Sequence, residues 1–262
     1  MKITLSSPSE KSHKIFWLVI FAVVLAIVIQ QMPASIMSSL LAKQSACRVT
    51  MHQTIGSIWD GSAALGFSEP NLVGGGCREP VAITERFSWK SQCSLMQGQC
   101  QVDIQFVGLD KPLKIYAYPN QIKVGSGEIA LPASILEAFG NPWSTLRPRG
   151  QLSANWSELK KGADTSGSIR INIANLSSPI SAVKPLGSYE IKANLAQTGT
   201  SFELATVAGP LLLKGKGTAD SDVRPGLHFV GGAWTAPETE ESLIGLLSLL
   251  GRKDGDTYRM QY

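Results

Sequence analysis

The sequence predicts a mainly β protein: a curved, partly closed antiparallel sheet with a few short helices, preceded by one N-terminal transmembrane helix. Three observations carry this expectation. Ile15–Ile29 is an unbroken run of fifteen apolar residues. Downstream of it, apolar and polar residues alternate strictly over several segments. The chain also holds 25 glycines and 14 prolines, which suits many short strands joined by tight turns.

The apolar run comes first and decides where the rest resides. As a helix, Ile15–Met32 spans about 27 Å, against a bilayer hydrocarbon core of roughly 30 Å. Lys14 is placed to snorkel to the interface, and Lys2, Lys11 and Lys14 outweigh Glu10, which favours a cytoplasmic N-terminus. A cleaved signal peptide would share the basic start and the apolar middle. Gln30, Gln31 and bulky Met32 stand where its small cleavage residues would be needed. The expected plan is residues 1–14 in the cytoplasm and 15–32 as the anchor, its apolar part bounded by Ile15 and Ile29. Residues 33–46 follow as a membrane-proximal helix and linker. Residues 47–262 then form a periplasmic β-rich domain, with candidate halves 47–140 and 150–262. The protein is thus expected in the cell inner membrane as a single-pass chain.

Alternation identifies the strands. Val102, Ile104 and Phe106 alternate with Gln101, Asp103 and Gln105; Ile169, Ile171 and Ile173 alternate with Arg170 and Asn172. Tyr189, Ile191, Ala193 and Leu195 alternate with Glu190, Lys192 and Asn194, and weaker versions occur at Leu152–Trp156 and Ser201–Ala205. Period two with one apolar face describes antiparallel strands covering a core on one side, whereas parallel strands buried on both faces read as solid apolar runs. Such a sheet must curl on itself or pair with a second sheet as a sandwich; curling is the expected outcome.

Three helices interrupt the strands. Ala34–Lys43 continues from the apolar run. Leu131–Phe139 has a proline near its start and Gly140 as its stop. Pro237–Leu250 carries Glu238, Glu240 and Glu241 at its positive end, then Leu243, Leu246, Leu247 and Leu250 on one face. That leucine face either plugs one end of the sheet or meets a partner or lipid, so Leu243 and Leu247 are candidate interaction residues.

The formal net charge of +4 is spread among scattered residues. No basic stripe interleaves with aromatics, which argues against a nucleic-acid partner. Four cysteines, Cys47, Cys77, Cys93 and Cys100, all follow the apolar run. No Cys-x-x-Cys occurs and His52 has no second histidine at ligand spacing, so no metal site is expected. In an oxidising compartment four cysteines read as two disulfides with three connectivities. Ser94–Gln99 resembles the tip of a hairpin, which favours Cys93–Cys100 and leaves Cys47–Cys77.

A search for catalysis finds little. Besides His13 before the anchor there are only His52 and His228, and no Gly-x-Ser-x-Gly elbow is present. Gly74–Gly76 precedes Cys77 rather than Lys-Ser, and Gly215-Lys216-Gly217 lacks the third glycine of a dinucleotide fingerprint. No enzyme activity and no cofactor are expected. Among six tryptophans, Trp59, Trp89 and Trp156 fall within or beside strand patterns. Most pack in a core or at sheet ends; as a functional alternative they line a groove for an acyl chain or an apolar partner. Ser201–Ala208 and Leu211–Lys216 are candidate free edges for pairing with a partner's strand.

Several of these residues recur in order. Pro33-Ala-Ser is followed by Leu40-Leu41, Ile55-Gly-Ser-Ile-Trp59-Asp-Gly61-Ser-Ala, and Phe87-Ser-Trp89 with Leu95-Met-Gln-Gly98. Next come Leu146-Arg-Pro-Arg-Gly150-Gln-Leu-Ser-Ala-Asn-Trp156 and Ser178-Pro with Pro185-Leu-Gly187-Ser-Tyr189. Gly209-Pro-Leu-Leu-Leu-Lys-Gly215-Lys-Gly217 and Leu249-Leu-Gly251-Arg-Lys-Asp-Gly255 close the series. This succession resembles the type II secretion system protein N family, also called general secretion pathway protein N, over roughly residues 33–258. The resemblance implies an accessory inner-membrane component of the machinery that carries folded periplasmic proteins across the outer membrane. Its implied partners are other type II secretion components and the bilayer, and it supplies no catalytic residues. The family is also distantly similar to AsmA-like proteins, which implies a lipid-binding or lipid-transfer role as the alternative, with bound lipid as a further candidate partner.

Overall fold

The computed structural model describes residues 10–45, 47, 49–68, 77, 81–94, 96–139, 143–219 and 227–261. It opens with helix α1 (Glu10–Gln30), whose side chains are described from Phe16 on. Among the described residues no helix is long and apolar enough to cross a membrane. The side chain of Ile15, one end of the expected span, lies outside the described residues, as do Gly74–Gly76. Within α1 the consecutive residues Phe16, Trp17, Leu18, Val19, Ile20 and Phe21 are all exposed, so among the described residues no other element covers this stretch of the helix.

Helix α2 (Ser35–Gln44) leads into the strands β1 (Val49–Gly56), β2 (Asp60–Phe67), β3 (Val81–Ser94), β4 (Gln99–Gln105), β5 (Leu113–Tyr118) and β6 (Gln121–Val124). After β7 (Gly127–Pro132) come a 3-10 turn at Ala133–Phe139, the single helical turn α3 (Trp143–Leu146), β8 (Arg149–Trp156) and β9 (Leu159–Gly162). The long strands follow: β10 (Gly167–Ser177), β11 (Gly187–Ala196), β12 (Gly199–Ala208), β13 (Leu211–Ala219) and β14 (Leu227–Thr235). The chain closes with helix α4 (Glu240–Leu250) and the hairpin β15 (Arg252–Asp254) and β16 (Thr257–Gln261).

These strands form two sheets rather than one partly closed sheet. A seven-stranded sheet runs β1-β2-β3-β4-β5-β6-β9, a nine-stranded sheet runs β15-β16-β14-β13-β12-β11-β10-β8-β7, and neither closes on itself. All the strand pairs are antiparallel. The split falls at Gly125–Ser126: β6 pairs with β9, while β7, two residues further on, pairs with β8. Trp156 marks the crossing. Its indole N–H donates to the Gly125 carbonyl at 2.8 Å, and its ring lies over Gly127, where a Cβ would come within 2.6 Å of it. Alternation fixes which face a residue occupies, but not which strand its backbone pairs with, so this division is invisible in the pattern.

The edges also differ from the expectation. Ser201–Ala208 and Leu211–Lys216 lie in β12 and β13, which are interior strands paired on both sides. The sheet ends are instead β1, β9, β15 and β7. Each is protected in a recognisable way. Helix α2 lies along β1, with Ser38 Oγ donating to the Met51 carbonyl at 2.8 Å. Strands β9 and β15 are short, and β15 is charged. Beside β7 the Phe106–Leu109 loop adds a bridge from Leu109 to Ile129.

Each sheet has its own core. The seven-stranded sheet buries Ala63, Phe87 and Trp89 with Phe106 and with Ala34 of the α1–α2 linker; Ile129 and Leu131 of β7 reach across to this cluster. The nine-stranded sheet buries Leu152, Ile173, Leu176 and Tyr189 under the 3-10 turn, and Leu211, Phe229, Ala233, Tyr258 and Met260 under α4. Two predicted helices begin differently from the expectation. Leu131 and Pro132 finish β7 before the chain coils as a 3-10 turn, and Pro237–Thr239 is a 3-10 turn that leads into α4. Gly251 closes α4 by donating to Leu247.

Candidate functional site

The joint between helix and sheet is built by the segment Gly56-Ser-Ile-Trp59-Asp-Gly61. Gly56 has a φ of +93°, which only glycine adopts without strain, and it starts the β1–β2 turn. Ser57 donates its N–H to the Asp60 carbonyl at 2.9 Å, and its Oγ accepts from the N–H groups of Trp59 and Asp60 at 3.2 Å each. This locked turn offers its donors to the end of α1, where helix carbonyls lack intrahelical partners. Trp59 Nε1 donates to Ile29 O at 2.9 Å and Ile58 N to Met32 O at 3.1 Å; in return Ala34 N donates to Gly56 O at 3.1 Å. Pro33 and Ser57 complete the joint as a β-bridge.

The same turn is fastened inward. Trp89, only 2% exposed, donates its indole N–H to Ile58 O at 3.2 Å, and Ser91 Oγ donates to that carbonyl at 3.1 Å. Gly61 packs flat on the Trp89 ring, where a Cβ would stand 2.5 Å away. The two tryptophans therefore form a relay: Trp59 holds the helix and Trp89 holds the turn that carries Trp59. Gly56 and Ile58 stand in the sequence only as members of the Ile55–Gly61 motif and Ser91 not at all, although the Gly-x-x-Trp-x-Gly spacing is a signal of a specific turn.

The other candidate residues separate. Trp156 is half-buried at the crossing between sheets, and Leu243 and Leu247 are 0% and 1% exposed inside the α4 core. Beneath α4 and α3 an apolar cavity of about 120 Å³ remains, walled by Trp143, Leu204, Leu213, Leu246 and Leu250 with Tyr189 at its base. Tyr189 donates its hydroxyl to the Leu211 carbonyl at 3.0 Å, and burial raises its phenol above the ordinary tyrosine range. Both disulfides are formed: Cys93 and Cys100 face each other across the β3–β4 hairpin, and Cys47 joins Cys77. His52 is hydrogen-bonded to Thr50, and His228 stands exposed on β14. Among the described residues no group of three or more His, Cys, Asp or Glu gathers as a metal would require.

Fold and joint together define a class: a protein of two open antiparallel sheets fixed to the end of an apolar helix. Within it, the chain belongs to the type II secretion system protein N family, whose model matches residues 48–261. That family gives it a role in type II secretion. No curated protein and no solved structure matches the chain.

Proposed function

We propose that this chain is an accessory, non-catalytic component of the type II secretion machinery, a periplasmic interaction platform held at the inner membrane by α1. Residues 1–14 lie in the cytoplasm, residues 15–32 cross the bilayer, 33–46 form the membrane-proximal link, and 47–262 face the periplasm. A helix apolar on every side, with Phe16–Phe21 covered by no other described element, suits lipid surroundings. Trp59 at its end suits the interfacial zone that tryptophan favours. The observation that carries the reading is the joint. Three reciprocal hydrogen bonds tie Ile29, Met32 and Ala34 to the β1–β2 turn, so the sheets hold one orientation to the helix rather than swinging on a linker. Anchoring in two dimensions raises the effective concentration of such a platform near other secretion components.

The test is a deletion strain in which export of folded enzymes is measured. Export is expected to fall and to be restored by the full chain but not by one lacking residues 1–32. Unchanged export in the deletion strain overturns the proposal. A reporter fused after Tyr262 that is active only in the cytoplasm overturns the orientation.

The apolar cavity supports a second reading, an AsmA-like protein that binds or transfers lipid. Its size weighs against that reading. At about 120 Å³ the space is near that of an engineered cavity of roughly 150 Å³ that admits benzene, and well under the ~300 Å³ at which ligand pockets begin. Native mass spectrometry of the full chain, extracted in a detergent removable in the gas phase, decides. A bare polypeptide mass is expected, and co-purified phospholipid favours the lipid reading.

A further inference from the structure

The outer face of the nine-stranded sheet carries a charge arrangement that does nothing for the fold. In β16, Tyr258 and Met260 turn into the core, so Thr257, Arg259 and Gln261 turn outward. Arg252 of β15 lies directly opposite Arg259, Arg259 opposite Gly232 of β14, and Gly232 opposite Lys214 of β13. These four positions form one row across the strands. Like charges directly opposite each other destabilise a strand pair, and a neutral residue at 252 would remove the conflict.

The neighbouring cations on this face all stand in ion pairs. Glu190 binds Arg170 at 3.2 Å and Lys192 at 2.9 Å, and Glu203 binds Lys216 at 2.7 Å, which holds the Glu203 carboxyl below its usual range. Lys253 points to the opposite face and pairs with Glu240 of α4. Among the described residues no acidic group pairs with Lys214, Arg252 or Arg259. Lys214 adds only to the field felt by Glu203. The described cations of this face without an acidic partner are thus gathered in this one row, with Asp254 two positions along β15 from Arg252 and on the same face.

Gly232 supplies the second observation. A Cβ built there meets nothing nearer than the Trp234 ring at 3.8 Å, so packing does not require a glycine. Glycine inside a strand weakens it and often marks close approach of another backbone. Here it leaves a bare floor between Arg259 and Lys214, roughly 10 Å wide at two strand spacings, with Trp234 as one wall.

The geometry points to a docking groove for an extended acidic segment of a partner protein, its carboxylates taken by Arg252, Arg259 and Lys214 and its backbone seated over Gly232. The three cations are strung over three strand spacings, about 14 Å, instead of converging on a point, so a single phosphate meets at most the arginine pair. A flat anionic membrane would draw on the whole basic face, yet Arg170 and Lys192 share Glu190 and Lys216 is paired with Glu203. An extended chain presents side chains on one side at intervals of about 6.8 Å, which suits a row of this length. Arginine forks grip carboxylates in bidentate fashion.

The groove would supply a partner for the proposed platform, but its test does not depend on secretion. The full chain in nanodiscs of neutral lipid is titrated with a fluorescein-labelled eight-residue peptide alternating Glu and Ser. Saturable binding is expected. Arg259→Gln and Arg252→Gln should each weaken it about tenfold, the loss of one charge-assisted contact. Gly232→Val should weaken it similarly by filling the floor, with circular dichroism and thermal unfolding unchanged as the check on folding. Arg170→Gln, on the same face, should leave it within about twofold. The proposal is overturned if the peptide does not bind, or if the Arg259 and Gly232 variants bind as the parent does. It is equally overturned if millimolar inorganic phosphate displaces the peptide completely, or if phosphatidylglycerol vesicles bind through these three residues and the peptide does not.

Discussion

The seven-stranded sheet carries one disulfide across β3 and β4 and a second, Cys47–Cys77, just before β1, and among its described residues the large buried side chains are chiefly Phe87, Trp89 and Phe106. The nine-stranded sheet has no cysteine and buries Leu211, Phe229, Leu243, Leu246, Leu247, Tyr258 and Met260 in one cluster, with Leu152, Ile173, Leu176 and Tyr189 in a second. Burial of apolar area and covalent closure of the unfolded chain are alternative sources of stability. The sheet that bears the helix joint relies on covalent closure, because its first strands are spent on gripping a helix end with polar backbone groups. The sheet with the longer strands relies on its own core and leaves its outer face free for contact.

The sharpest way to break this comparison is to empty the core of the nine-stranded sheet. Leu247→Ala or Leu243→Ala removes a buried side chain; each should cost about 2–5 kcal/mol. Urea unfolding of the full chain in detergent should show the loss in the transition that exposes Trp143 and Trp234. A loss below about 1 kcal/mol would show that α4 is an accessory cover and not a core element.

Removing the longer disulfide acts on the other sheet. Cys47→Ser with Cys77→Ser opens a closure of 30 residues, worth roughly 3.5 kcal/mol by chain entropy. Cys93→Ser with Cys100→Ser opens one of 7 residues, worth roughly 2.4 kcal/mol on the same account. Limited proteolysis should then cut within residues 49–124 while residues 167–261 stay protected. Equal cutting in both sheets would show that they unfold as one unit.

Smaller effects test the joint and the buried phenol. Trp59→Phe keeps an aromatic side chain, though a smaller one, and deletes the donor to Ile29 O, the lost bond alone costing about 1 kcal/mol. Its clearer readout is orientation: spin-label distances between α1 and β2 should broaden from one population to several, and a distribution as narrow as the parent's would remove the joint's importance. Tyr189→Phe loses the bond to Leu211 O and should cost about 1 kcal/mol. The folded phenol is raised above its unfolded value. Its contribution is therefore complete at neutral pH and is lost as pH climbs past the ordinary tyrosine range, near 10. The parent should lose stability above that pH faster than Tyr189→Phe does, and parallel alkaline curves would contradict the assignment.

Much of the architecture was legible in the chain. Ile169, Ile171 and Ile173 do line one face of β10, and Tyr189, Ile191, Ala193 and Leu195 one face of β11, in register with each other. The hairpin around Gly98 brings Cys93 opposite Cys100 because a turn of the right length fixes its own register. The leucines of α4 bury because an amphipathic stripe has one stable place to go. What stayed hidden was longer in range. Trp59 and Trp89 look alike as strand-end tryptophans, yet one grips a helix and the other anchors a turn, and nothing local distinguishes them. Arg252 and Arg259 are seven residues apart in the chain and acquire their meaning only when a hairpin sets them side by side.

By itself, then, the sequence determined the local matters: period-two faces, turn positions, the leucine stripe and the pairing of the near cysteines, all of which depend on neighbours within a few residues. Tertiary structure alone decided that the strands divide at Gly125–Ser126 into two sheets, that β12 and β13 lie inside and not at an edge, and that three cations share one row. The physical reason is that backbone hydrogen bonds between strands carry no residue code, so partner choice is settled by how whole faces pack.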